Sequence, residues 1–275
     1  MAKVDTKRVY QEIYKPQGVA YGKTLYLTQH YVNQRAMVAK VLAEQKIGAT
    51  AQVLEIGAGF GSLSDTHPNW RGIEYSATAI AQAKPELLKS GRLQEADARA
   101  MPFPDNTFDV VFTFATFEHI PELERVYPEV ERVLKPGGVL IDGTAWNCRP
   151  WTVKLLQYRP YAELGLRDRL EKFLIPLREH VVWRAVMALP MRVKREIQLA
   201  LGLPLALDYQ ALQPDLSLLA RYPFVADQDA FVNIDAHATA SYLAARGWEV
   251  LTCQGALQRL KLRAEVLVAR VRKPS

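Results

Sequence analysis

The 275 residues suit one large domain, or one domain plus an insertion, and a 49% apolar content supplies a core. Two cysteines, Cys148 and Cys253, give neither a disulfide framework nor zinc spacing, no apolar run approaches transmembrane length, and a charged, polar N-terminus without an apolar leader predicts a cytoplasmic protein. The net charge of +6 is uneven: residues 51–143 hold 8 basic and 14 acidic side chains, residues 1–50 hold 8 and 3. Without a dense Lys/Arg run or an RNA-binding signature, the basic arm reads as a solvated helical face, and nucleic acid is not an expected partner.

In chain order, residues 1–24 form an aromatic arm with Tyr10, Tyr14 and Tyr21, and residues 25–46 have a helical pattern expected to pack on a sheet edge. Val53-Leu54-Glu55-Ile56 reads as a buried parallel strand, apolar except for one acid. Gly57-Ala58-Gly59-Phe60-Gly61 follows. Alternate glycines let the backbone turn sharply and let a ligand lie against it, with amide N–H groups of the turn expected to face that ligand. The spacing misses the G-x-G-x-x-G pattern of nicotinamide enzymes, because Gly61 falls one place early and position 62 is Ser. Asp65, Thr66, Pro68 and Asn69 limit the next helix to one or two turns. Arg71–Glu74 is a second strand ending in an acid, and Ser76 is an N-cap for a helix over 77–89. Residues 93–98 form a third strand ending at Asp97, and residues 106–114 a buried fourth, with Glu118-His119 just beyond. Residues 134–141 read as a helix end, a Pro-Gly-Gly turn and a fifth strand. Asp235 caps a helix over 236–246, stopped by Gly247. Strands over 248–252 and 264–271 close the chain.

In combination and in this order, VLEIGAGFG, GIEYS, EADA, PFPDNTFDVVF, FEHI and VLKPGGVLI resemble the class I S-adenosylmethionine-dependent methyltransferases of the small-molecule type. The resemblance covers residues 51–143 and resumes weakly at 236. It implies a doubly wound, seven-stranded Rossmann-like α/β sheet with the last strand antiparallel, N-terminal helices, and a helical lid inserted after the fifth strand. The implied division is an arm and helix (1–50), a cofactor core (51–143), a lid and acceptor insertion (144–234) and the last helix and two strands of the core (235–275). The implied cofactor is S-adenosylmethionine, with S-adenosylhomocysteine as product. The backbone at Gly57, Ala58 and Gly59 would pass its methionine part, and Glu55 would sit near the amino group. Glu74 would take the ribose hydroxyls and Asp97 the adenine edge. Tyr75 and Ala98 would border the ring, and the backbone of Phe114 would face the methionyl amino group.

The insertion is where acceptor choice is expected. Leu170, Phe173, Leu174 and Leu177, then Val182, Ala185, Val186 and Leu189, recur at helical spacing, with Pro176, Pro190 and Pro204 expected to divide the segment into short helices. A lid would exclude water from the methyl donor. A structural cap or dimer surface is a second reading. Peripheral membrane contact is a third, because Trp183, Met187 and Met191 lie near Arg192, Lys194 and Arg195. A hydroxyl acceptor gains from a general base, and His119 is the first candidate. His180, His237, Tyr158, Tyr161 and Tyr209 are unranked alternatives. Family members that use a metal carry an extra Glu three places before the Glu-His pair; that place is Ala115 here, so no metal is expected. The Asn/Asp-Pro-Pro-aromatic motif of amino-group methylation and the Pro-Cys of cytosine C5 chemistry are replaced by Phe114-Ala115-Thr116-Phe117. The expected activity is methyl transfer to a small-molecule hydroxyl: a natural product, a sugar or glycan precursor, or a lipid-linked acceptor. The alternatives are a cofactor-binding regulatory protein without turnover and an RNA or protein methyltransferase.

Overall fold

The structure, a computed structural model, describes residues 6–13, 25–215, 217–218, 221–222, 225–263 and 265–273. Tyr14 and Tyr21 of the aromatic arm lie outside these residues. Two helices come first, α1 (Thr6–Ile13) and α2 (Leu25–Glu44). Five parallel strands follow: β1 (Val53–Ile56), β2 (Trp70–Glu74), β3 (Leu93–Glu95), β4 (Phe108–Phe114) and β5 (Leu134–Gly143). β1 is buried at all four positions and β4 at five of seven, as expected of strands covered on both faces.

The short connecting elements show where local chemistry rules. Between β1 and β2 the chain forms turns and no helix, closed by Gly61 N–H to the Ala58 carbonyl (2.8 Å) and Ser64 N–H to the Gly61 carbonyl (3.1 Å). The one or two helical turns expected there are absent, because Pro68 and the polar run before it offer no continuous helix-forming stretch. The single helix expected over 77–89 is two, α3 (Ala77–Ile80) and α4 (Pro85–Lys89). Pro85 holds Lys84 in an extended conformation (ψ 131°) and starts a new helix at its own first position. Ser76 does cap α3, its hydroxyl accepting from Ala79 N–H at 3.3 Å. The third strand ends at Glu95, so Asp97 lies in the following turn, its carbonyl accepting from Ala100 N–H. α5 (Val126–Val133) then leads into β5. The Pro-Gly-Gly turn is a bulge within β5: Leu134 pairs with Phe108, and the ladder resumes at Val110–Val139.

The insertion contains α6 (Leu166–Glu179), α7 (Val181–Ala200) and a two-stranded ribbon, β6 (Gln210–Ala211) with β7 (Val232–Asn233). Pro176 and Pro190 lie inside α6 and α7 and do not end them. Both helices are largely exposed, and an exposed helix tolerates the lost N–H bond because solvent can satisfy the freed carbonyl. Then come α8 (Ala236–Ala245), β8 (Glu249–Val250), α9 (Ala256–Leu260) and β9 (Leu267–Arg270). Asp235 caps α8 by accepting from His237 N–H at 3.1 Å, and Gly247 follows at φ +83°. Among the described residues, seven strands share one sheet in the order β3-β2-β1-β4-β5-β9-β8. Reciprocal bonds, Gly137 N–H to Val271 O and Val271 N–H to Gly138 O, show the antiparallel direction of the last strand.

The chain divides into two compact units. The first comprises residues up to Phe117, Glu122–Thr144 and the segment from Val268; the second comprises Glu118–Pro121 and Ala145–Leu267. The first holds the parallel strands and their core, with Trp70, Phe108, Phe112 and Tyr127 essentially inaccessible.

Candidate active site

The glycine turn is built as its sequence demands, with Gly57, Gly59 and Gly61 at φ +74°, +54° and +76°. A β-carbon on Gly57 would overlap the side chain of Thr116, and one on Gly72 of the adjacent β2 would lie 2.6 Å from the Trp70 ring. The amides of the turn do not point outward as expected. Gly57 and Ala58 N–H both donate to the Ile73 carbonyl, at 2.9 and 3.0 Å, Gly59 N–H donates to Glu74 Oε2 at 2.9 Å, and Gly61 N–H goes to Ala58. The turn therefore serves a ligand by closeness of approach, while the amides of Gly57, Ala58 and Gly59 bond to β2 and that of Gly61 closes the turn.

That arrangement orients Glu74. Its other oxygen accepts from Ser76 N–H at 2.8 Å, and the residue is 6% exposed. Two backbone donors fix the carboxylate plane, an orientation suited to the hydroxyls of a ribose. Glu55, one strand over, is also buried, its Oε2 accepting from the Trp70 indole N–H at 2.8 Å. Burial pushes its carboxyl well above the usual range, against that hydrogen bond, and the neighbouring Glu74 charge adds to the rise.

Asp97, expected at the adenine edge, already has a partner. Arg99 grips it through the main chain (2.9 Å) and through Nε (3.0 Å) and Nη2 (2.7 Å). Burial raises the Asp97 pKa, but the Arg99 hydrogen bonds outweigh it and the net shift is downward. An adenine amino group would thus meet a carboxylate already shared with a guanidinium. Tyr75 has Lys7 of α1 over its ring at 5.9 Å, and Ala98 is buried. The Phe114 carbonyl accepts from Thr116 Oγ1 at 2.9 Å, and Ala115 beside it takes a left-handed φ of +46°.

Several contributors have no motif to reveal them. Arg35 of α2 binds Asp65 through Nε (2.9 Å) and donates through Nη2 to the Ser62 carbonyl, so α2 reaches the glycine turn as well as the core. Tyr31, one turn earlier, is raised in pKa by burial, against a hydrogen bond with Ser62 and with a further rise from the Glu55 and Glu74 charges. The Tyr10 carbonyl accepts from the Ser76 hydroxyl at 3.2 Å. The glycine cradle, the oriented Glu74 and the buried Glu55 together fit an adenosyl cofactor with an amino-acid tail.

The second unit holds His119. Its Nδ1 lies 3.5 Å from Asp229 Oδ2 and its Nε2 lies 3.6 Å from Glu118 Oε1. Burial lowers the His119 pKa, but Asp229 and then Glu118 more than compensate, and the net shift is upward. Glu118 is fully buried, and burial raises it to about 7 against the His119 charge and nearby backbone N–H groups. Asp229, 110 positions along the chain, was not foreseeable as the partner. Of the alternative bases, His237 is buried against Glu196 (3.1 Å) and lowered to about 4, first by burial, which keeps it neutral. Tyr158 and Tyr161 are about half exposed and His180 is exposed.

A groove of about 1410 Å³ also lies within the second unit. Its walls include Trp183, Met187, Met191 and Leu262, with Arg149 and Arg184 among its cations. The pKa of Arg149 is lowered, first by burial and next by the Arg184 charge, so an anion between the two would relieve both.

Residues 54–142 match the family described as a methyltransferase domain. Over that segment the chain is similar to the class I S-adenosylmethionine-dependent methyltransferases, in agreement with the motifs at 51–143. Sterol 24-C-methyltransferase erg6 of Schizosaccharomyces pombe is 32% identical over 140 residues, 47% of this chain and 34% of its own. Phosphatidylethanolamine N-methyltransferase of Cereibacter sphaeroides is 35% identical over 98 residues, 33% of this chain and 48% of its own. Among solved structures, an S-adenosylmethionine-bound amino pentose methyltransferase from Micromonospora echinaspora aligns at 24% identity over 53% of this chain and 58% of its own, with a TM-score of 0.38. The chain spans from about a quarter to about half of the length of the curated relatives it matches.

Proposed function

We propose that the methyltransferase domain is active and moves a methyl group from S-adenosylmethionine to a hydroxyl oxygen of a small, amphiphilic acceptor. The observation that carries this reading is Glu74, whose carboxylate is held in a fixed plane by Gly59 and Ser76 N–H beside a glycine cradle. In the same reading Glu55 faces the methionyl amino group, Gly57 to Gly59 and the backbone of Phe114 line the methionine part, and Tyr75, Asp97 and Ala98 border the adenine. When bound, the cofactor supplies an electrophilic methyl group on a sulfonium, and the acceptor must be positioned in line with it. His119 accepts the acceptor's hydroxyl proton at Nε2 while Asp229 holds Nδ1. Residues 144–234 act as the helical lid and acceptor segment, and the groove with its apolar wall and paired arginines takes the acceptor. Metal is not required in this scheme. The acceptor is read as a small molecule, free or lipid-linked, and the protein as cytoplasmic.

A second reading is transfer to carbon or nitrogen. It is supported by the matched relatives, whose names place their methyl groups on a sterol carbon and on the nitrogen of phosphatidylethanolamine.

The test is calorimetric titration with S-adenosylmethionine, then methyl transfer from a labelled donor to a panel of hydroxylated, sterol and aminophospholipid acceptors. One-to-one binding near −8 kcal/mol, about micromolar, is expected, with label on an oxygen. Binding without transfer to any acceptor leaves the non-enzymatic reading standing. Transfer to carbon or nitrogen replaces the oxygen reading. In the His119→Ala variant, turnover is expected to fall about a hundredfold with cofactor affinity unchanged; a loss of affinity alone assigns His119 a structural role.

A further inference from the structure

α6 has two apolar faces and the fold uses one. Ile175 is 7% exposed and packs with Trp151, Leu156 and Leu164. Leu166, Leu170, Phe173 and Leu177, spaced by three and four residues, form a second stripe that is bare: Leu166 is 86% exposed and Phe173 72%. α7 repeats the pattern with Val182, Val186, Leu189, Val193 and Ile197, all exposed. The two halves of α7 differ. Its C-terminal half is tied down by Arg192 to Asp235 (2.7 Å), by Arg195 to Asp208, and by Glu196 to Arg259 (2.7 Å). Its N-terminal stretch, 181–187, is exposed at every position although five of its seven residues are Val, Trp or Met.

Charge separates on the same hairpin. Residues 166–200 contain eight basic and four acidic side chains. Every acid is engaged within the unit: Asp168 and Glu171 with Lys154, Glu179 with the Trp151 indole, and Glu196 with His237 and Arg259. Among the described residues, Arg167, Arg184 and Lys194 are exposed and carry no ion pair. The hairpin therefore presents apolar side chains together with uncompensated positive charge.

We propose that the α6–α7 hairpin docks on an anionic lipid bilayer, lying along the boundary between headgroups and acyl chains. Anionic headgroups complement the free cations and the acyl region complements the bare stripes. A second copy of the chain fits less well, because an isologous contact would bring the same cations face to face. Among the described residues no helix is long and apolar enough to cross a membrane, so the hairpin lies on the surface. The docking rests on the lipid-linked reading for its purpose only: vesicle binding is read without methyl transfer, and either proposal fails alone.

The experiment is flotation of the full chain with phosphatidylcholine vesicles, with and without phosphatidylserine, and sedimentation velocity without lipid. Binding to the anionic vesicles is expected to exceed binding to neutral ones by about tenfold or more. The Leu170→Ser/Phe173→Ser pair and the Arg167→Glu/Lys194→Glu pair, none of which lines the acceptor groove, should each weaken it about tenfold with unchanged melting curves. Quenching of tryptophan fluorescence by brominated lipid should be lost largely with Trp183→Phe. Absence of binding to anionic vesicles, equal binding by the variants, or a dimer that the apolar pair dissolves in place of vesicle binding would each overturn the proposal.

Discussion

The glycine turn and the α6–α7 hairpin contain comparably apolar sequence and use it in opposite ways. Around the turn, Val53, Leu54, Ile56 and Ile73 are at most 1% exposed, and the carboxylates of Glu55 and Glu74 are hydrogen-bonded. Along the hairpin, apolar side chains stand in solvent and the acids are the tethered groups. The difference teaches that apolar periodicity marks a face without saying what covers it. In the first region the neighbouring strands do; in the second the fold leaves the face bare.

The comparison can be broken most severely at the turn. Gly57→Val combines a β-branched residue at φ +74° with overlap against Thr116, at an expected cost of about 3–5 kcal/mol. Cofactor binding should disappear in titration calorimetry; retained binding would mean the backbone there does not approach the ligand. On the hairpin, Ile175→Ala should cost about 2–4 kcal/mol in denaturant unfolding, showing that its buried face is as structural as the turn. Glu74→Ala strands two backbone donors and removes the ribose acceptor, and a loss of about 2–3 kcal/mol in cofactor affinity is expected. Unchanged affinity would remove Glu74 from the site.

Glu118 supplies a pH test. Its pKa is raised by burial from 4.5 to about 7, so its stability contribution is intact below pH 4.5 and is lost as pH rises through 7. Glu118→Gln should therefore stabilise the protein at pH 8 by about 1–3 kcal/mol and hardly change it near pH 4.5. Parallel pH–stability curves for the two proteins would show that the buried carboxylate is compensated. The smallest effect is expected for Phe173→Ser, within about 0.5 kcal/mol of the parent in the same unfolding assay. A cost near that of Ile175→Ala would show that the bare stripe is covered in solution.

Legibility in the sequence follows the range of the interaction. The strands, the glycine turn, the Ser76 and Asp235 caps and the Glu74 position were readable, because each depends on neighbours within a few residues. The split at Pro85 and the early end of β3 were local and were still misplaced. At Pro85 the proline's effect on Lys84 outweighed helical propensity. β3 ended two residues before the expected acid. Asp97's sharing with Arg99 needed only two positions of separation, yet no periodicity announces a guanidinium folding back.

What the sequence determined by itself was backbone conformation: where φ must be positive, where a helix must start, and which strands are apolar enough to be buried on both faces. Only the tertiary structure decided who meets whom. It set Trp70 on Glu55, spent the turn's amides on Ile73 and Glu74, brought Asp229 to His119, and chose which face of α6 to bury. The physical reason is that steric limits on a residue act through its immediate neighbours, while burial and charge pairing depend on side chains that chain topology alone brings together.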